Sequence, residues 1–153
     1  MKTYADSSAL VPLYVSERFS EAAETALRPA GQVPFTMIHH LEVSNAFERL
    51  IGRGLISRPE GRSIERHLHD DLESRRLIAV SVDLEEVFRN AGVLSRQYAA
   101  KHLARSLDLL HVAAAHAAGC TVFVSADDRQ LAVARASGLG VVDIKRPRRR
   151  QKR

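Results

Sequence analysis

The sequence predicts a single α/β domain, a three-layer α/β/α sandwich built on a mainly parallel central sheet. Three observations carry that prediction. Short apolar runs alternate with longer helical stretches along the chain, the order that lays parallel strands under crossover helices. The chain has 153 residues, one domain's worth, and a domain of that size buries roughly 68–70% of its unfolded surface. Its 45% apolar and 27% charged residues are those of an ordinary globular protein. No internal repeat is present.

The elements follow in order. Lys2-Thr3-Tyr4-Ala5 reads as a short strand ending at Asp6, and Asp6 or Ser7 can cap a helical stretch from Ala9 to Val15. Pro12 sits early enough in that stretch to be tolerated. A second helix, Phe19 to Leu27, stops at the breaker cluster Arg28-Pro29-Ala30-Gly31. Val33-Pro34-Phe35-Thr36 is a strand that Pro34 places at or near a sheet edge. Thr36 then caps a helix from Met37 to Ile51, whose expected buried stripe is Val43, Ala46, Phe47, Leu50 and Ile51.

Ser57-Arg58-Pro59-Glu60 starts a mostly polar helix running to about Arg76. His67 and His69 are two apart on it and point to different faces, so they form no metal pair. Leu77 to Val82 reads as the third strand, with the continuous apolar core of a buried parallel strand. Asp83-Leu84-Glu85-Glu86 opens a helix to about Ala100. The alanine-rich stretch from Ser106 to Ala118 is a helix that Gly119 closes. Ser106 is its expected N-cap, with Leu107, Leu110, His111, Ala114 and Ala118 on one buried face. Cys120 to Ser125 is the fourth strand, Asp128 to Ser137 the last helix, and Gly140 to Ile144 a fifth strand.

Charge is unevenly distributed. The chain carries 23 basic and 18 acidic residues, net +5, but seven of the basic ones lie in 145–153. Residues 1–144 therefore hold 16 basic against 18 acidic side chains, net −2. The domain spans 1–144, and 145–153 is a basic tail expected to be disordered; such arms often contact nucleic acid through phosphates. One cysteine excludes an internal disulfide and a multi-cysteine zinc site and fits a reducing, cytoplasmic setting. The N-terminus does not read as a signal peptide. No apolar run approaches the roughly 20 residues of a membrane span. The chain also lacks a glycine-rich phosphate loop, which argues against nucleoside-triphosphate chemistry.

Four acids map to one edge of the expected sheet. Asp6 ends the first strand, Glu42 lies on the helix after the second, Asp108 opens the helix before the fourth, and Asp127 follows the fourth. Functional groups of open α/β sheets gather beyond the carboxyl ends of the strands. Singly, each acid has a local explanation: Asp6 and Asp127 as helix caps, Asp108 as a partner of the helix dipole, Glu42 as a solvated helix residue. Together they would repel unless protonated or neutralised by cations. Oxygen-only ligands suit hard ions such as Mg²⁺ or Mn²⁺, and such sites activate water against phosphate esters.

The residues Tyr4-Ala5-Asp6-Ser7-Ser8-Ala9-Leu10, Glu42 within a helix, Arg105 to Ala115 and Phe123-Val124-Ser125-Ala126-Asp127 resemble the PIN domain. The likeness is nearest to VapC-type toxin ribonucleases and extends to about Ile144. It implies a Mg²⁺- or Mn²⁺-dependent endoribonuclease whose acidic quartet matches Asp6, Glu42, Asp108 and Asp127. Asp6 and Asp108 would be the principal metal ligands, and Glu42 and Asp127 would complete the shell and help orient or deprotonate the attacking water. Ser7 and Ser125 match supporting hydroxyl positions, although the family usually has Thr before the last Asp. Asp128 is a second candidate for the fourth acid. The resemblance further implies an RNA substrate, a small VapB-like antitoxin partner, and a homodimer or toxin–antitoxin hetero-oligomer.

Two other readings compete with it. One is a non-catalytic RNA-binding module on the same fold, relying on the basic tail. The other is a phosphatase with a nucleophilic Asp6, which normally wants a second Asp where Ser8 stands. His111 is expected to be a core residue rather than a ligand, His39 and His40 half-exposed helical histidines, and Cys120 a small apolar filler.

Overall fold

A computed structural model describes residues 2–146. Three parallel strands, β1 (Thr3–Ala5), β4 (Val122–Ser125) and β5 (Gly140–Asp143), form one ladder in the order β1-β4-β5. A second ladder pairs β2 (Val33–Phe35) with β3 (Leu77–Ala79), also parallel. The register sets Tyr4 beside Phe123 and Ala5 beside Val124. Because successive side chains point to opposite faces, these two pairs seed two separate cores. Tyr4 and Phe123 lie in one with α5 (Leu84–Leu94), α7 (Ser106–Ala117) and α8 (Asp128–Ala136). Ala5 and Val124 lie in the other with α1 (Ser7–Leu10), α2 (Ser20–Leu27), α3 (Met37–Gly52) and α4 (Arg58–Glu73). Helices thus cover both faces of a parallel sheet, as the sequence predicts.

The break between the two ladders has a chemical cause. Val33 N and Phe35 O bond toward β3, to Arg76 O and from Val80 N at 3.0 Å each. The intervening residue would address β1, but it is Pro34 and has no N–H to give. The carbonyl of Ala5 on that side is instead taken by a side chain, His39 Nε2 at 2.8 Å.

Several elements differ from expectation. The first helix is only Ser7–Leu10, followed by a 3₁₀ turn over Val11–Leu13, because Pro12 removes an N–H. The third strand is three residues long, with Ile78 half-buried and Ala79 exposed. Its apolar run is an edge, not a buried strand. The helix opened by Asp83 continues past Leu94 through a π-helical turn, Ser95–Ala99, to His102, where Leu103 adopts φ 53°. On α3 only Val43 and Phe47 of the expected stripe are fully buried; Ile38 and His39 join them. Helix α7 has Arg105, not Ser106, as N-cap, and every residue from Asp108 to Ala115 is buried. It packs against α5 and α8 as well as the sheet, so a one-sided stripe is replaced by burial all round. Leu107 is consequently exposed.

Lys145 and Arg146 pair with Asp128 and Asp143 (2.8 and 3.9 Å). The remainder of the expected basic tail, 147–153, lies outside the described residues.

Candidate active site

Asp6 leaves β1 and caps α1. Its N–H donates to Val124 O and its carboxylate accepts from Ala9 N, both at 3.1 Å. Ser8 Oγ donates to its two oxygens at 2.8 and 2.9 Å, and Ser125 Oγ donates at 2.9 Å. Each hydroxyl also accepts a backbone N–H at 2.8 Å, Ser8 from Ala126 and Ser125 from Asp127, so its one proton is turned on the carboxylate. Asp6 is 1% exposed. Burial pushes its pKa up to about 6, against the lowering pull of His111 and the two serines.

Glu42 projects from α3 toward the same place. Its Oε2 accepts from Ser7 Oγ at 2.7 Å and from His111 Nε2 at 2.5 Å. Burial alone would raise its pKa, but the His111 and Ser7 contacts outweigh that and hold it below its ordinary value. Asp127 is the N-cap of α8, with Oδ1 accepting from Arg129 N at 2.8 Å and Gln130 N at 3.3 Å. Asp6, Glu42 and Asp127 line one open cleft of about 810 Å³, together with Ser7, Ser8 and Gln130.

Asp108 adjoins that cleft without lining it. It is 7% exposed, its Oδ2 accepting from Arg105 N at 2.8 Å and its Oδ1 from Gln130 Nε2 at 3.1 Å. Gln130, Arg105 and Leu107 stand on the cleft wall. Gln130 Oε1 is buried with no partner among the described residues, an acceptor of the kind a bound water satisfies. Asp128 points elsewhere: its side chain is 70% exposed and paired with Lys145.

Among the described residues, no three Asp, Glu, His or Cys side chains stand close enough to enclose a cation. The donor set still suits a hard ion that keeps most of its water. Mg²⁺ commonly takes one or two carboxylates and fills its octahedron with waters. The cleft offers carboxylate oxygens, and the orphaned Gln130 Oε1 lacks a donor beside them.

Several residues here are invisible to sequence reasoning. Tyr4 and Ser8 lie inside the stretch that carries the family resemblance, but nothing in the sequence gives them, or Gln130, a role at the site. His111 is buried, as expected, but it also holds Glu42. His39 is fully buried rather than half-exposed. Its Nδ1 accepts from Thr36 N at 2.9 Å, so Nε2 carries the proton given to Ala5 O, and burial pulls its pKa down to about 3. His40 is exposed.

Comparison with known proteins places the chain in a family. The PIN domain profile matches residues 3–136. The chain is 30% identical over 132 residues to Ribonuclease VapC3 of Pyrobaculum aerophilum, covering 86% of this chain and 93% of that protein. Two solved structures share the fold. PAE2754 from Pyrobaculum aerophilum superposes with a TM-score of 0.59 at 19% identity, over 95% of this chain and 90% of that one. FitAcB from Neisseria gonorrhoeae superposes with a TM-score of 0.61 at 16% identity, over 94% and 98%. The chain belongs to the PIN domain family.

Proposed function

We propose that this PIN-domain chain is a metal-dependent endoribonuclease, the toxin of a type II toxin–antitoxin pair, hydrolysing RNA at Asp6, Glu42, Asp108 and Asp127. The observation that carries the reading is Glu42. Helix capping accounts for Asp6 and Asp127, and the first-turn position accounts for Asp108. No local rule accounts for a half-buried helix carboxylate held by Ser7 and His111 in the same cleft as Asp6 and Asp127. Family membership and the likeness to a protein named a ribonuclease support the reaction class.

In this reading Asp6 and Asp108 are the principal ligands of Mg²⁺ or Mn²⁺, with Glu42 and Asp127 completing the shell directly or through water. A divalent ion held there supplies positive charge to a scissile phosphate and lowers the pKa of water. The chain's own residues do the rest. Ser8 and Ser125 fix the orientation of Asp6. Glu42 is ionised at neutral pH, and its Oε1, not engaged by His111 or Ser7, is the oxygen open to a water proton. Arg49 and Arg105 on the cleft wall present guanidinium groups to the phosphates of RNA.

The proposed partner is a small VapB-like antitoxin whose Arg or Lys would meet the carboxylates. Leu41 and Leu107, which line the cleft at 67% and 42% exposure, give such a segment apolar surface to cover. Assembly as a homodimer or a toxin–antitoxin hetero-oligomer, and a cytoplasmic location, belong to the same proposal. No helix among the described residues is long and apolar enough to cross a membrane.

The test is cleavage of total cellular RNA by the purified protein with Mg²⁺, with Mn²⁺ and with chelator, beside Asp108→Asn. Discrete metal-dependent products that vanish in the variant are expected. Intact RNA in every lane, from folded protein free of antitoxin, would replace the nuclease with an RNA-binding module.

A further inference from the structure

The hydrogen bonds on Glu42 continue inward. His111, on α7, and Tyr4, on β1, are both 0% exposed. Tyr4 Oη meets His111 Nδ1 at 2.9 Å, and His111 Nε2 meets Glu42 Oε2 at 2.5 Å. An ionised carboxylate only accepts, so His111 Nε2 carries a proton and donates it to Glu42, while Nδ1 is hydrogen-bonded to the Tyr4 hydroxyl. The imidazole is flanked by the rings of Tyr4 and His39, with centroids 5.8 and 5.0 Å away. Tyr4 lies on β1, two residues before Asp6, which follows the strand's end. The strand that leads into Asp6 therefore also anchors the ring that holds Glu42.

We propose that Tyr4 and His111 are positioning residues that lock Glu42 Oε2 through the hydrogen bonds Tyr4 Oη–His111 Nδ1 and His111 Nε2–Glu42 Oε2, leaving Oε1 for the metal ion or its water. The inference rests on reading the cleft as a metal site. Ser7 binds the same oxygen from the cleft side, so both restraints fall on Oε2 and neither consumes Oε1. Tying ligand orientation to buried partners is what raises the affinity of oxygen-ligand metal sites, and loss of such a partner typically costs roughly 10–100-fold in metal affinity or activity.

The experiment measures Mn²⁺ affinity by electron paramagnetic resonance, alongside melting temperature and the Mn²⁺ dependence of RNA cleavage, for the full chain, Tyr4→Phe, His111→Gln and the double variant. Tyr4→Phe removes one hydroxyl and keeps the ring packing. Each single variant is expected to weaken Mn²⁺ about 10-fold, the lower end of the outer-shell range. Cleavage should return at saturating Mn²⁺ with the KM for RNA unchanged. The double variant should be no weaker than His111→Gln, because Tyr4 acts through His111. Mn²⁺ affinity within twofold of the unsubstituted protein in both single variants, with only the melting temperature lowered, would reduce the pair to core packing. Should His111→Gln fail to fold, Tyr4→Phe decides. A full chain that binds no Mn²⁺ would overturn the metal-site reading and this inference with it, whereas unchanged variants beside a binding parent would overturn this inference alone.

Discussion

On α4 both histidines and every acid but Asp71, which accepts from Tyr14 Oη at 2.6 Å, face water, whereas on α7 the acid and His111 are buried. α4 has Glu60, Glu65, Asp70, Asp71 and Glu73 with His67 and His69, far more ionisable groups than α7. Only Gly61, Ile64 and Leu68 of α4 are buried. Its histidine pairing, His69 with Glu73 at 3.1 Å, joins side chains about 70% exposed, a contact that water and salt leave nearly without effect. α7 has one acid, Asp108, and two histidines; Asp108 and His111 are buried and bonded to other elements, and His116 in the last turn is exposed. The contrast teaches that a density of ionisable residues does not make a site. Removal from water, bonds across elements and convergence on one cleft together do, because only a desolvated group has its protonation and orientation set by the fold.

The comparison breaks first at the acids. Asp6→Asn should lower RNA cleavage by more than the roughly 100-fold typical of an outer-shell loss, whereas Asp70→Asn on α4 should leave it within twofold. Asn keeps the capping acceptor, so the fold should persist. It should also gain stability without metal at pH 7. The Asp6 pKa is raised from 3.8 to about 6, so its ionised form opposes folding at neutral pH by about 3 kcal/mol. Urea midpoints of the metal-free proteins measure this, and a less stable Asp6→Asn would mean the carboxylate helps hold the fold.

Packing gives the next effect. Ala113 on α7 is 0% exposed, so Ala113→Leu should cost about 1–3 kcal/mol by overpacking. Arg62→Leu on the exposed side of α4 should stay within about 0.5 kcal/mol. Equal costs in chemical denaturation would erase the distinction between the two helices.

The last effect is a slope with pH. His39 has its pKa lowered from 6.5 to about 3, so below pH 6.5 the unfolded chain takes up a proton that the folded chain refuses. Stability is lost on that account as pH falls from 6.5 toward 3, by up to about 1.4 kcal/mol per pH unit. Asp6 works the other way between pH 6 and 4, since the folded chain is then the one that gains a proton. His39→Gln, which retains the Thr36-x-x-Gln capping box, should remove the loss and leave the Asp6 gain exposed. Denaturation midpoints of the two proteins from pH 7 to 4 should diverge; parallel curves would mean that His39 is not held neutral.

Much of this was legible in the residues. The alternation of strands and helices, the caps at Asp6, Thr36, Ser57, Asp83 and Asp127, and the position of the four acids along the chain follow from local propensity and period. The burial of α7 on all sides was not legible, since alanine patterns alike on every face and only neighbouring helices decide which faces are covered. Nor was the short exposed β3, because an apolar run reads the same at an edge as in a centre. Spacing put His111 on the buried face of its helix but gave no sign of its bond to Glu42, and it did not set buried His39 apart from exposed His40, for a histidine's state depends on what faces it.

The sequence by itself determined the order of elements, the single-domain class and the set of acids, because those depend on neighbours within a few residues. Only the tertiary structure decided that Pro34 leaves β1 and β2 unladdered and that His39 fills the missing bond. Only it brought Glu42, Ser7, His111 and Tyr4 into one line, from positions 35, 69 and 107 residues apart in contact. Desolvation and hydrogen bonding across such separations are properties of the packed chain, and no local pattern encodes them.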